Sequence, residues 1–169
     1  IGNVTIHRIG LARPDPAFVD LGKFPLDLNK PWFQFGAAIK ALRLQRQYRF
    51  DAIWSLMAFA AGVPAVIFKL VHPRMPFILT LQEGNSPEYI EKKMKPLWPL
   101  FSRVFTKADK IQAISTFLAD WARRRGHQGE IELIHNGANP RDIKPEYTPA
   151  EIEALRQERD AGAEGLRTE

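Results

Sequence analysis

The 169-residue sequence contains no cysteine. That removes disulfides, thiolate metal sites and thiol nucleophiles together, and it is compatible with a reducing, cytoplasmic setting. No apolar run approaches the roughly 20 residues needed to cross a bilayer. The longest apolar-rich piece, Ala58 to Val71, is interrupted by Lys69 and holds Gly62 and Pro64. It reads as a buried helix leading into a strand or a second helix. The start at Ile1 shows no signal-peptide pattern. There is no GxGxxG fingerprint, no GxxxxGK[ST] phosphate loop, no HExxH and no GxSxG elbow. The four histidines, His7, His72, His127 and His135, show no ligand spacing, so no metal is expected. Any phosphate would have to be met by helix N-termini and backbone N–H groups. A strong charge bias is also missing. There are 24 Lys and Arg against 19 Asp and Glu, a net +5. That suits an anionic ligand or a membrane surface, and is too weak to point to nucleic acid.

What is present is ordinary for a folded domain: 45% apolar and 25% charged residues. Both ends read as cut from something longer, because the chain opens in a strand-like segment and closes in charge and glycine. Five short apolar runs predict strands: Val4–Ile9, Ala52–Leu56, Phe77–Leu81, Lys110–Ile114 and Ile131–His135. Most lack alternation, which fits strands buried on both faces of a parallel sheet. Helical spacing falls between them. Phe33 to Arg49 carries Phe35, Ile39, Leu42 and Leu44 on one side, with Lys40, Arg43 and Arg46 outside. Thr116 to Arg125 carries Phe117, Leu118, Trp121 and Ala122, with Ser115 as N-cap and Gly126 as the C-terminal stop. Strand and helix alternate, which predicts an α/β architecture. Leu11–Lys30, punctuated by Pro14, Pro16 and Pro25, reads as a long functional loop.

Four stretches carry chemistry. In Phe77–Pro87 an apolar strand reaches Thr80 and Leu81, and Gln82, Glu83, Gly84, Asn85 and Ser86 then crowd together. Ligands of open α/β sheets bind at the carboxyl ends of strands. Gly84 would let backbone approach a ligand, Gln82 and Glu83 could bond sugar hydroxyls, and Glu83 could act as acid, base or charge stabiliser. The plainer alternative is a turn, with Ser86 capping a helix that starts at Pro87. In Ala108–Leu118 a strand runs into Ser115, either a phosphate-facing helix start or a plain cap. In Ile131–Asn139 a strand meets Asn136-Gly137, an ordinary turn or an exit toward a linker. Glu91–Lys110 mixes Lys92, Lys93 and Lys95 with Leu97, Trp98, Phe101 and Phe105. That is the composition of a membrane-surface helix or of a packed helix with a basic rim. Arg123-Arg124-Arg125 complements a helix dipole and needs no ligand, and His127 beside it is expected to face solvent.

The order of Phe50-Asp51-Ala52-Ile53, Pro76–Gly84, Ala108–Leu118 and Ile131–Asn139 resembles the N-terminal lobe of the GT-B-fold retaining glycosyltransferases of family four, the group 1-like enzymes. The resemblance covers about Val4 to Pro145. It implies a Rossmann-like parallel sheet flanked by helices, one lobe of a two-lobe enzyme. Residues 1–145 would form a partial acceptor lobe lacking its first strand and glycine loop. Residues 146–169 would form a linker and the start of a donor lobe, with a helix from Pro149 to about Arg159 capped by Thr148 and Glu151. It implies transfer of a sugar from a nucleotide-sugar donor to a saccharide or lipid-linked acceptor with retention, no cofactor and no metal. The setting would be polysaccharide biosynthesis in the cytoplasm, with peripheral contact at the inner face of the membrane. The implied catalytic positions are Gln82 and Glu83, and the implied acceptor contacts are Thr80, Gly84, Asn85, Ser115, Asn136 and Gly137. Lys92, Lys93, Lys95 and Trp98 are the membrane-surface candidates. The family often has His where Gln82 stands. Gln cannot exchange a proton near neutral pH, so it reads as a sugar-hydroxyl contact. The chain alone is expected to be inactive. Two other readings share the pattern: a lobe of a nucleotide-sugar epimerase, for which only Glu83 is well placed, and a non-catalytic basic membrane-binding module.

Overall fold

In a computed structural model of the chain, residues 4–11, 22–137, 148 and 150–154 are described. The chain divides into two compact units, Ile1–His135 and Asn136–Glu169. The first is an α/β sandwich. Helix α1 spans Asn29–Tyr48, strand β1 Ile53–Leu56, helix α2 Val63–Val71 and strand β2 Phe77–Leu81. Helices α3 (Pro87–Met94) and α4 (Trp98–Lys107) follow, then β3 (Lys110–Ala113), α5 (Thr116–Arg124) and β4 (Glu130–Leu133). The four strands are parallel in the order β1-β2-β3-β4, with Leu79 opposite Ile111 and Leu81 opposite Ala113. This is the Rossmann-like α/β architecture expected from the alternation of strand and helix.

A strand order that advances in one direction, joined by right-handed crossovers, places its helices on one face of the sheet. The side chains agree. Phe77, Leu79, Leu81 and Ile111 are fully buried in one cluster with Val66 of α2, Phe101, Val104 and Phe105 of α4, and Trp121 of α5. Phe105 meets Trp121 edge-on at 4.9 Å and Phe101 at 5.6 Å. Each large side chain buried this way contributes about 1.5–3 kcal/mol. On the other face, Trp54 is 71% exposed and Leu56 41%.

Local signals set the helix ends. The Ser115 hydroxyl accepts from Leu118 N at 3.3 Å and that of Ser86 from Tyr89 N at 3.3 Å. Both are true N-caps. Gly126, at φ +92°, lets the chain leave α5 in the left-handed region. Before α2 the chain makes a six-residue π-turn, Met57–Gly62, so the apolar stretch from Ala58 is one broken helix and no strand. A side chain at Gly62 would meet Val104 at 2.7 Å, which fixes glycine where the turn passes α4.

Several expectations fail. Val4–Ile9 forms no strand: Val4 and Ile6 are 64% and 79% exposed. This segment finds no strand to pair with, and Leu11 is tied instead to the Asn29 side chain through N (2.7 Å) and O (2.9 Å). Helix α1 begins one turn before Phe33 and ends the Leu11–Lys30 loop early, since Pro31 is tolerated in a first turn. It buries Gly36 and Ala38, while Phe35 and Ile39 face outward. His127 is 2% exposed. Its Nδ1 lies 2.9 Å from Phe105 O and its Nε2 3.2 Å from Glu130 O, so two carbonyls hold the ring inside. Residues 12–21 of the expected loop lie outside the described residues.

In the second unit, Thr148 and Glu151 form the expected capping box. Thr148 N donates to Glu151 Oε2 (2.9 Å) and Glu151 N to Thr148 Oγ1 (3.4 Å). Residues 150–154 are helical. Pro149, the helix beyond 154 and the segment 138–147 lie outside the described residues.

Candidate functional site

The polar stretch after β2 emerges at the carboxyl edge of the sheet. Ile114 N donates to Leu81 O at 3.2 Å, so Gln82 and Ile114-Ser115 leave neighbouring strands side by side. Gln82 and Glu83 are half-buried, and Gly84, Asn85 and Ser86 are exposed. No other group stands within 4 Å of where a Gly84 side chain would be, which leaves open space above the strand end. Gln82 and Asn85 have no hydrogen-bond partner among the described residues, so their amide groups are available to a ligand.

Glu83 is engaged differently. Its Oε1 accepts from Ala58 N and, at 3.4 Å, from Phe59 N. It therefore caps the π-turn that follows β1. Burial pushes its carboxyl above its ordinary value, and the two backbone N–H groups offset that only in part. From α1, Gln34 Nε2 donates to Phe59 O (3.5 Å) and Ala60 O (3.4 Å). The turn is thus held at both ends, and it begins with Met57 at φ +64°, a strained backbone for a side chain of this size.

The remaining candidates separate. The Thr80 hydroxyl is spent in a cross-strand ladder, accepting from Trp54 Nε1 and donating to Gln112 Oε1, both at 2.9 Å. Ser115 is at the edge, with its hydroxyl used as a cap. Asn136 and Gly137 are exposed and belong to the second unit. Lys92, Lys93 and Lys95 are exposed on and just after α3, while that helix buries Ile90 and Met94 in the core. Sequence reading passed over His135. Its Nδ1 lies 2.8 Å from the carbonyl oxygen of Ile114, the residue before Ser115, and its Nε2 has no partner among the described residues. The signal was its position as the last residue of the predicted strand Ile131–His135, at the same carboxyl edge where Gln82 follows β2. No group of three or more His, Asp or Glu suited to a metal occurs among the described residues, and no described helix is long and apolar enough to cross a membrane.

A parallel α/β lobe of this kind is Rossmann-like, a class whose ligands bind at the carboxyl ends of strands. Within that class, the chain belongs to glycosyltransferase family 4, whose model matches residues 5–142. No curated protein and no solved structure matches it.

Proposed function

We propose that this chain is the acceptor face of a two-lobe sugar transferase. In that reading a sugar moves from a nucleotide-sugar donor to a saccharide or lipid-linked acceptor with retained configuration. The observation that carries the assignment is the placement of Gln82, Asn85, Ser115 and His135 on one strand edge with unused hydrogen-bonding capacity over open space. Amide groups of this kind recognise hydroxyls, since each both donates and accepts. Glu83 then works less as a proton carrier than as the support for the turn beside it, because its accepting oxygen is already committed to backbone N–H groups. The departing nucleotide diphosphate would be stabilised by cationic groups and helix N-termini of a second lobe, and closure of the lobes would exclude water. On this reading the chain alone transfers no sugar, and neither metal nor cofactor enters. Any membrane contact is peripheral and electrostatic, through Lys92, Lys93 and Lys95.

The test is a titration of the chain with free saccharides and, separately, with nucleotide sugars, following the backbone amides of Gln82, Asn85, Ser115 and His135. Saccharides are expected to shift them and nucleotides to leave them still. The reverse pattern would move the donor to this lobe and defeat the assignment.

A further inference from the structure

Trp98 is half-buried and lines a cleft of about 570 Å³ together with Glu88, Glu91, Lys92 and Lys95. The ring is fixed by its surroundings. The Arg125 guanidinium lies over it, 5.4 Å from the centroid, and Phe101 stands 5.9 Å away. Arg125 is in turn paired with Glu91 at 2.8 Å, and Glu91 Oε1 accepts from Trp121 Nε1, also at 2.8 Å. This chain of contacts ties the cleft wall to the buried aromatic core, so the platform is ordered before anything binds. A membrane anchor needs exposed apolar area, and of the apolar side chains of α3 Ile90 and Met94 are turned into the core, which leaves Tyr89 exposed beneath Lys93. What remains in the cleft is part of an indole surface whose N–H has no partner among the described residues, one carboxylate at Glu88, and two ammonium groups. The charge of Glu91 is already paired and the Glu88 carboxylate is engaged by the Ser86 side chain, so Lys92 and Lys95 have no ion-pair partner among the described residues.

Indole surface accepts the C–H face of a pyranose, and a few polar groups around it fix the ring's orientation. Two unpaired ammonium groups add a preference for negative charge. We propose that this cleft is a second saccharide subsite, one that takes an anionic sugar unit, a uronate or a sugar phosphate, of an extended acceptor, with Trp98 as the stacking platform and Lys92 and Lys95 as charge partners. The proposal rests on the sugar-transfer reading and deepens it. Helix α3 begins at Pro87, three residues beyond Gly84, so an acceptor chain leaving the carboxyl edge has a short path to the cleft.

The experiment is retention of the 169-residue chain on an immobilised glycan panel holding neutral, uronate-bearing and phosphate-bearing saccharides. Anionic members alone should retain it. Binding should weaken about tenfold in the Lys92→Ala/Lys95→Ala double variant and similarly in Trp98→Ala, the scale of a lost charged hydrogen bond. Trp98 also packs against the core, so the lysine variant, which lies wholly on the surface, decides where Trp98→Ala fails to fold. A blank panel, retention by neutral glycans only, or retention indifferent to the lysine variant overturns the proposal. So does binding to phosphatidylglycerol vesicles without retention on any glycan, which would make the surface a membrane contact. The panel reads this cleft without a donor. A blank panel with the Gln82 edge still responding to saccharide is therefore failure here alone, whereas a Gln82 edge that ignores saccharides is failure of the transferase reading.

Discussion

The two edges of the one sheet are built on opposite terms. At the amino edge, Lys69 is 8% exposed and gives its protons to Met75 O at 2.6 Å and Asp109 Oδ2 at 2.8 Å. Asp109 Oδ2 also takes Phe77 N at 2.7 Å. Both groups of this pair are used by other groups of the same fold, at the starts of β2 and β3. At the carboxyl edge, Gln82 and Asn85 have no partner among the described residues, and only one nitrogen of His135 is bonded. Where polar groups are satisfied internally they hold strands in place. Where they are left over, beside open space, they are open to water or to the ligand proposed above.

The largest effect that would break this comparison is at the amino edge. Asp109→Ala leaves the buried Lys69 ammonium with one carbonyl and orphans Phe77 N. We expect a loss of about 3 kcal/mol in urea unfolding, the low end for breaking a buried ion pair because Asp109 is half-exposed. Folded protein should still show the saccharide response at the opposite edge. If stability holds while that response disappears, the roles of the two edges are misassigned.

Glu83→Ala is the intermediate case, since Glu83 is a structural group on the functional edge. Loss of the cap on Ala58 and Phe59 should cost about 1 kcal/mol. Amide hydrogen exchange should speed up at those two residues before it does so elsewhere. Unchanged exchange there would mean that the carboxylate supports nothing.

Glu83→Gln should have a smaller effect, and one that depends on pH. The carboxyl is raised above its ordinary value of 4.5 by burial. In the window above that value the folded state holds more protons than the unfolded state. Its contribution to stability is therefore fully present below about pH 4.5 and is lost as pH rises through the folded pKa. The variant lacks this loss, so its stability relative to the parent should climb across the same window. A flat difference between the two curves would count against a raised carboxyl.

Gln82→Ala should have the smallest structural effect, within about 0.5 kcal/mol, as for a half-buried group with no partner among the described residues. Saccharide shifts at Asn85 and Ser115 should nevertheless weaken. If unfolding moves and the shifts do not, Gln82 belongs with the structural edge.

Much of the fold was legible because short apolar runs and caps are local. The strand cores of β1 to β4, the caps Ser86 and Ser115, the Gly126 stop and the Thr148–Glu151 box all follow from residues within a few positions of one another. Val4–Ile9 has the same apolar look and forms no strand, because pairing needs a neighbour and apolar character alone does not supply one. His127 reads as surface beside three arginines, yet the Phe105 carbonyl, 22 residues away, and the nearby Glu130 carbonyl hold it inside. The candidate edge was legible as a crowd of polar residues after β2, but the division of labour inside it was not. Thr80 turned out to be spent on Trp54 and Gln112, and Glu83 on the backbone after β1.

By itself, then, the sequence determined the α/β alternation and the family, since periodicity, capping and motif order are written along the chain. Only the tertiary structure decided which of the polar groups after β2 have no partner among the described residues, which are consumed in holding strands and turns together, and that Trp98 lines a cleft with Lys92 and Lys95. Hydrogen-bond satisfaction and burial are sums over neighbours that the chain brings together from tens of residues away.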